Sequence, residues 1–204
     1  MDQLLEKLFE SVAKVRIIRL FVQNPQNDFT LTDISDRTKI KRNHAQSELV
    51  KLINVGLIKK KIIAVSNQKN QNKKAKKIAG YSIHTDFPLL QELRDLIIRS
   101  SSTSRKRLFA QVKRLGKVKL VVLSGIFLNT DRSRTDILIV GDDISQRKLE
   151  NFFSTVESEL GKTVSYTLME TDEFKYRMGM FDRFLRDIFE YPHEKLLNKL
   201  NLPR

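Results

Sequence analysis

The stretch Lys41–His84, KRNHAQSELVKLINVGLIKKKIIAVSNQKNQNKKAKKIAGYSIH, decides how the first half of this 204-residue chain is read. It opens on a helical pattern. Ala45, Leu49, Leu52 and Ile53 fall at i, i+4, i+7 and i+8, which makes one apolar stripe on a helix over Arg42–Asn54. Gly56 stands where a left-handed residue ends such a helix. Two runs follow, Leu57–Val65 and Lys76–His84, that read as strands. They are joined by a polar tip, Ser66–Ala75, rich in Asn, Gln and Lys. From Leu49 to Thr85 there are nine lysines and no Asp or Glu.

Working outward, Leu4, Leu5 and Leu8 recur at helical spacing, and Val12, Val15, Ile18 and Leu20–Val22 continue the pattern behind a cap at Ser11. Asn24–Asp28, with Pro25, closes this second helix. Phe29-Thr30-Leu31 reads as a short extended piece. Thr32 is expected to cap a short helix ending near Thr38 with Ile34 facing inward, and Lys39–Lys41 makes a tight connection into Arg42–Asn54. This order of helices followed by a basic hairpin is that of a winged helix-turn-helix, expected over residues 1–99.

The face of Arg42–Asn54 opposite its apolar stripe carries Arg42, Asn43, Gln46 and Ser47, with Lys41 and His44 beside them. These side chains suit base edges and phosphates. Lys69, Lys73, Lys74, Lys76 and Lys77 on the hairpin would add phosphate contacts, which raise affinity without reading sequence. Double-stranded DNA is the expected partner. The competing reading is a winged helix used for protein contacts, with a solvated hairpin. After the hairpin, Pro88 stands near the start of a further helix with Leu89, Leu93, Leu96 and Ile97 as its apolar stripe. Ser100–Ser104 reads as a hinge. That helix packs on the first domain or pairs with a second copy, as in the homodimers usual among operator-binding proteins.

Composition narrows the rest. The net charge is +14, and residues 1–100 carry 19 Lys and Arg against 10 Asp and Glu, so most of the excess lies in the first half. A general lysine and asparagine bias is the plainer account of that charge, and the clustering argues against it. There is no cysteine, which excludes disulfides and thiol chemistry. His44, His84 and His193 stand too far apart for a zinc motif. No run approaches the length of a membrane span and the first residues do not form a signal peptide, so a cytoplasmic protein with no membrane partner is expected.

The second half alternates. A basic helix over Arg105–Leu115 precedes buried strands at Val118–Leu123 and Thr135–Val140 and a third strand at Val164–Met169. A helix over Ser145–Leu160 turns Leu149, Phe152, Phe153, Val156 and Leu160 to one side. One or two helices span Glu173–Glu190, with Phe181, Phe184, Leu185 and Phe189 available for packing. The fold class expected for the whole is α+β: the winged helix-turn-helix, then a small α/β domain over residues 100–204.

Within that domain, LSGIFLNTDRSRTDILIVGDDIS (Leu123–Ser145) resembles the core of the nucleotidyltransferase superfamily. The resemblance implies a Gly-Ser turn that cradles phosphates and three strand carboxylates that hold divalent metals. Gly125 matches the glycine, but Ile126 stands in the serine position. Arg134 replaces the first metal-binding Asp, Asp136 matches the second, and Ser165-Tyr166-Thr167 offers no third carboxylate. An arginine has the wrong charge to hold a cation. The chain thus resembles prokaryotic proteins in which a winged helix is fused to a degenerate nucleotidyltransferase-like domain. The resemblance implies a DNA-binding transcriptional regulator without catalytic residues, metal or cofactor, whose second domain dimerises or senses a ligand. Gly125, Arg132, Arg134 and Asp136 are the candidate ligand residues, for a nucleotide or protein. The two arginines read equally well as surface charge, and Asp136 as a carboxylate that hydrogen-bonds its own loop. Asp142 and Asp143 read as a strand end and helix lead-in. Two other functions stay open at this point: a metal-dependent nucleotidyltransferase acting on nucleic acid or protein, and a non-catalytic, antitoxin-like interaction module.

Overall fold

A computed structural model describes residues 2–65, 76–100, 105–128, 130 and 133–203, and the class is α+β. The chain forms two compact units, Met1–Ser101 with Glu157–Lys162, and Ser102–Val156 with Thr163–Arg204. Among the described residues no helix is long and apolar enough to cross a membrane.

The first unit runs α1 (Asp2–Leu8), α2 (Val12–Gln23), β1 (Phe29–Thr30), α3 (Leu31–Thr38), α4 (Arg42–Asn54), β2 (Ile58–Val65), β3 (Lys76–Ile83) and α5 (Leu90–Ser100). Ser11 caps α2 as expected, its Oγ accepting the N–H of Lys14 at 3.1 Å. The cap of α3 is Thr30, not Thr32. Thr30 Oγ1 accepts the Asp33 N–H at 3.1 Å, and Asp33 Oδ2 accepts the Thr30 N–H at 2.8 Å. That reciprocal box needs a carboxylate three residues on, which Thr30 has and Thr32, followed by Ser35, lacks.

Helix α4 has the expected bounds. It ends in a paired closure in which the Gly56 N–H reaches Ile53 O at 2.9 Å and the Leu57 N–H reaches Leu52 O at 3.0 Å. Gly56 adopts φ +85°, the left-handed geometry this closure requires. Strands β2 and β3 form an antiparallel hairpin from Ile58↔Ile83 to Val65↔Lys76, and β1 joins the other side of β3 through Phe29↔Tyr81. Leu5, Ile17, Phe21, Phe29, Ile34, Leu49, Ile58 and Ile97 fill the core between helices and sheet. In α5 the apolar stripe is rotated from the expected one. The helix starts at Leu90, so Leu90, Leu93 and Ile97 face the core while Leu89 and Leu96 are exposed. Leu4, Leu8 and Val12 also face solvent. Of the expected hinge Ser100–Ser104, Ser100 is the last residue of α5 and residues 101–104 lie outside the described residues.

The second unit runs α6 (Arg105–Val112), β4 (Lys117–Leu123), a single 3-10 turn (Gly125–Phe127), β5 (Ile137–Asp142), α7 (Gln146–Leu160), β6 (Tyr166–Met169), α8 (Thr171–Gly179), α9 (Arg183–Glu190) and β7 (Glu194–Asn198). The sheet order is β6-β5-β4-β7, with β5 and β6 parallel and the other pairs antiparallel. Leu120, Val122, Leu138 and Val140 face Phe174 of α8 and Leu185 and Ile188 of α9. The alternate positions Val121, Leu123, Ile137 and Ile139 are equally buried. On their face, Phe153 of α7 stacks on Tyr166 of β6 at 3.9 Å between ring centres. Burial on both faces explains the unbroken apolar runs in β4 and β5.

Two expectations change here, and one strand is new. Strand β5 begins at Ile137 rather than Thr135, because its pairing with β4 opens at Leu123↔Ile137 and Thr135 turns its hydroxyl to backbone carbonyls. Strand β7 had no expectation, since its sequence EKLLN is short and charged at its start. Phe181, expected in the core, is 85% exposed at the corner between α8 and α9, with φ +52°.

Candidate functional site

Helix α4 divides sharply. Ala45, Glu48, Leu49 and Leu52 are buried, while Lys41, Arg42, Asn43, His44, Gln46 and Ser47 are all exposed. No hydrogen bond or ion pair to another described residue engages the side chains of Lys41, Arg42, Asn43, Gln46 or Ser47. The helix start is equally bare. Lys41 stands at the N-cap and makes no side-chain cap bond, and the first turn has no acidic residue. By contrast, α2 and α3 are capped by Ser11 and Thr30. Cations beside the positive end of a helix dipole oppose helix stability, and the same arrangement attracts an anion.

One member of α4 was not singled out from sequence. Glu48 is 3% exposed, with Lys51 Nζ at 2.8 Å, Lys14 Nζ of α2 at 3.9 Å and His44 Nε2 at 3.9 Å. It therefore ties the DNA-facing candidate His44 and the neighbouring helix α2 to one buried carboxylate. Its position one residue before Leu49, on the edge of the apolar stripe, was the available signal.

On the hairpin, Lys59, Lys60 and Lys77 are exposed, and Lys61 is held by Asp28 at 2.6 Å. Lys76 opens β3. Lys69, Lys73 and Lys74 lie outside the described residues.

The second unit brings Gly125 and Asp136 together, but inwardly. Gly125 has φ +53°, and a methyl group there would stand 2.1 Å from Asp136 Oδ1. Asp136 Oδ1 accepts the Ile126 N–H at 2.9 Å and its Oδ2 accepts the Ser165 N–H at 2.8 Å. The carboxylate thus clamps the turn after β4 to the segment entering β6. Arg134 is engaged elsewhere, donating through Nε to Asp187 Oδ2 of α9 at 2.5 Å. Asp187, the half-buried partner, was missed because its helix gives no hint in sequence of which loop it meets. Arg132 lies outside the described residues. Among the described residues no three His, Cys, Asp or Glu side chains gather where a metal ion could sit.

Asp142 is engaged as well. It accepts the Thr171 N–H at 3.0 Å, the Thr171 hydroxyl at 2.9 Å and Lys119 Nζ at 2.8 Å, and so caps α8 from β5. The Lys119 contact, then the two Thr171 bonds, hold its carboxyl down at about 2. Asp143, with φ +52°, pairs with Lys117 at 2.7 Å.

The chain matches no model of a known protein family, no characterised protein and no solved structure.

Proposed function

We propose that the chain is a winged helix-turn-helix protein that binds double-stranded DNA through α4 and regulates transcription as a homodimer. One observation carries the reading: the start of α4 is uncapped, acid-free and cationic, and the side chains of Lys41, Arg42, Asn43, Gln46 and Ser47 have no partner within the described residues. A DNA duplex supplies what is missing on both counts. Phosphate oxygens would accept the first-turn amides, and base edges in the major groove would meet Arg42, Asn43 and Gln46. The β2–β3 hairpin, with its exposed Lys59, Lys60 and Lys77, is the wing in this reading and would run along the backbone.

The second unit is read as a nucleotidyltransferase-like domain that performs no transfer. Support comes from Asp136, whose two oxygens already accept backbone N–H groups, and from Arg134, paired with Asp187. Its role in this reading is dimerisation or ligand sensing.

The test is fluorescence anisotropy of the whole chain against duplexes enriched from a random-sequence pool and against unenriched duplexes, at two salt concentrations. The expected result is a preference of about a thousandfold or more with a steep salt dependence. Replacing Arg42 with Ala should erode the preference while leaving affinity for random duplex nearly unchanged. Equal losses on both would remove base reading by α4, and no enrichment from the pool would remove the regulator.

A further inference from the structure

A second acid-free stretch runs from Leu96 to Thr130, with eight Lys and Arg and no Asp or Glu, nearly the length of the lysine-rich stretch around the hairpin. Part of its charge is spent internally. Arg105 is held by Glu194 at 2.6 Å, Lys117 by Asp143 at 2.7 Å and Lys119 by Asp142 at 2.8 Å. The rest is not. Lys106, Arg107 and Arg114 are exposed, and none has a carboxylate within ion-pair distance among the described residues.

Arg107 and Gln111 share one side of α6 at i and i+4, and Arg114 lies in the turn that follows the helix. Helix α7 sets Lys148, Asn151 and Thr155 on one side at i, i+3 and i+7. Between them lies a groove of about 660 Å³ whose rim is Gln111, Arg114, Lys148, Asn151 and Thr155 and whose floor is the buried Leu115 and Phe152. No lining residue is acidic. On α7, Glu150 and Glu157 fall on the opposite side of the helix, and Glu159 falls on the groove side one turn beyond Thr155, past the lining residues. Thr155 donates its hydroxyl to Asn151 O at 2.8 Å.

Two cations flanked by two carboxamides, a hydroxyl and no carboxylate form a surface for a chain of phosphates. Carboxamide N–H groups and guanidinium forks donate to phosphate oxygens, and nothing at the rim repels them. We infer that the α6–α7 groove is a second nucleic-acid contact, which grips the phosphodiester backbone of DNA through Arg114 and Lys148 without reading sequence. The inference rests on the proposed DNA reading for the identity of the polymer, and on the groove's own residues for everything else.

The experiment titrates the whole chain against a labelled random-sequence duplex of about two helical turns, over a series of salt concentrations. The double variant Arg114→Gln with Lys148→Gln is compared with wild type. It is also compared with a double variant of equal charge loss on the other helices of the unit, Lys175→Gln with Arg183→Gln, both exposed. The groove variant should lower the slope of log affinity against log salt by about two, near 0.9 for each phosphate contact, and weaken binding about tenfold or more at moderate salt. The control should move the slope by less than about half of one such contact. Equal slopes for the two variants would mean bulk charge alone, and the groove assignment falls.

Failure of this inference and failure of the α4 reading separate cleanly. If wild type shows no sequence preference but the groove variant still loses slope, α4 is not the reader and the groove stands. If wild type is selective and the groove variant binds like it, only the groove falls. A wild-type chain with no affinity for any duplex overturns both.

Discussion

Two sets of polar residues stand out in this chain, one at the start of α4 and one around the Gly125 turn, and they differ in where their hydrogen bonds go. At α4, the side chains of Lys41, Arg42, Asn43, Gln46 and Ser47 meet no other described residue and the helix start has no cap. Around the turn, Asp136 spends both oxygens on backbone N–H groups and Arg134 spends its guanidinium on Asp187. Unspent hydrogen-bonding capacity on a rigid helix is what a binding surface needs. Spent capacity holds a fold together. An arginine stands in both places, Arg42 and Arg134, and only the partner distinguishes the two.

The largest effect expected from this difference is at Gly125. Alanine there would carry a side chain at φ +53° and push a methyl group to 2.1 Å from Asp136 Oδ1. The carboxylate would have to release the Ile126 and Ser165 N–H groups. The expected cost is about 2–4 kcal/mol, the sum of left-handed backbone strain and displaced charge-assisted bonds. Urea unfolding followed by circular dichroism measures it. A cost below about 0.5 kcal/mol would show that the turn gives way freely and that Asp136 is not a clamp.

At α4 the opposite pattern is expected. Arg42→Ala should leave stability within about 0.5 kcal/mol of wild type, because the side chain has no internal partner. It should cost about 1–3 kcal/mol of discrimination on a preferred duplex. Calorimetric melting and anisotropy on the same preparation separate the two quantities. A large loss of stability would mean that Arg42 is structural and would break the contrast with the turn.

Lys41→Ser sharpens it further. A serine at the N-cap can accept the first-turn amide that lysine leaves bare, so this variant should gain about 0.5–1 kcal/mol of stability. It should also bind DNA more weakly, through the lost charge and the amide now satisfied from within. Weaker binding together with a higher melting temperature is an outcome that a purely structural role for this helix start does not produce. A stability gain with unchanged affinity would remove the N-terminal turn from the proposed interface.

Much of the first unit was legible because its signals are local. The stripe Ala45, Leu49, Leu52, with Gly56 behind it, marks α4 at its observed bounds, and the lysine-rich runs mark the hairpin strands to within a residue. Errors arose where two local signals competed, as with Thr30 and Thr32, or where a helix began two residues later than expected and buried a different face, as in α5. The second unit was legible in its strands and in the buried face of α7. Its partnerships were not. Asp136 reaches Ser165 across 29 positions and Arg134 reaches Asp187 across 53, and no spacing rule connects them. Strand β7 depends on β4 for its existence, since EKLLN carries little alternation of its own. The exposed Phe181 follows from a left-handed corner that its sequence, Gly-Met-Phe-Asp, does not announce.

The smallest effect separates the helices by how their starts are satisfied. Helix α8 has no side-chain bond from its own N-cap residue, Glu170, just as α4 has none from Lys41. The difference is that Asp142 of β5 reaches across to the Thr171 N–H and hydroxyl, with Lys119 holding it there. That set of contacts lowers the carboxyl from 3.8 to about 2. A group whose folded value is depressed contributes stability that is complete above its unfolded value and is lost as pH falls through the folded value. Wild type should therefore hold this contribution at neutral pH and lose it progressively from about pH 4 to about pH 2. Asp142→Asn has no carboxyl to titrate, so it should be less stable than wild type at pH 7 and should close on wild type as the solution is acidified. Urea midpoints of both proteins at pH 7, pH 4 and pH 2 test this. A gap that stays constant across that range would mean that Asp142 serves α8 only as a neutral acceptor, and that the charge on this helix start matters as little as its absence does at α4.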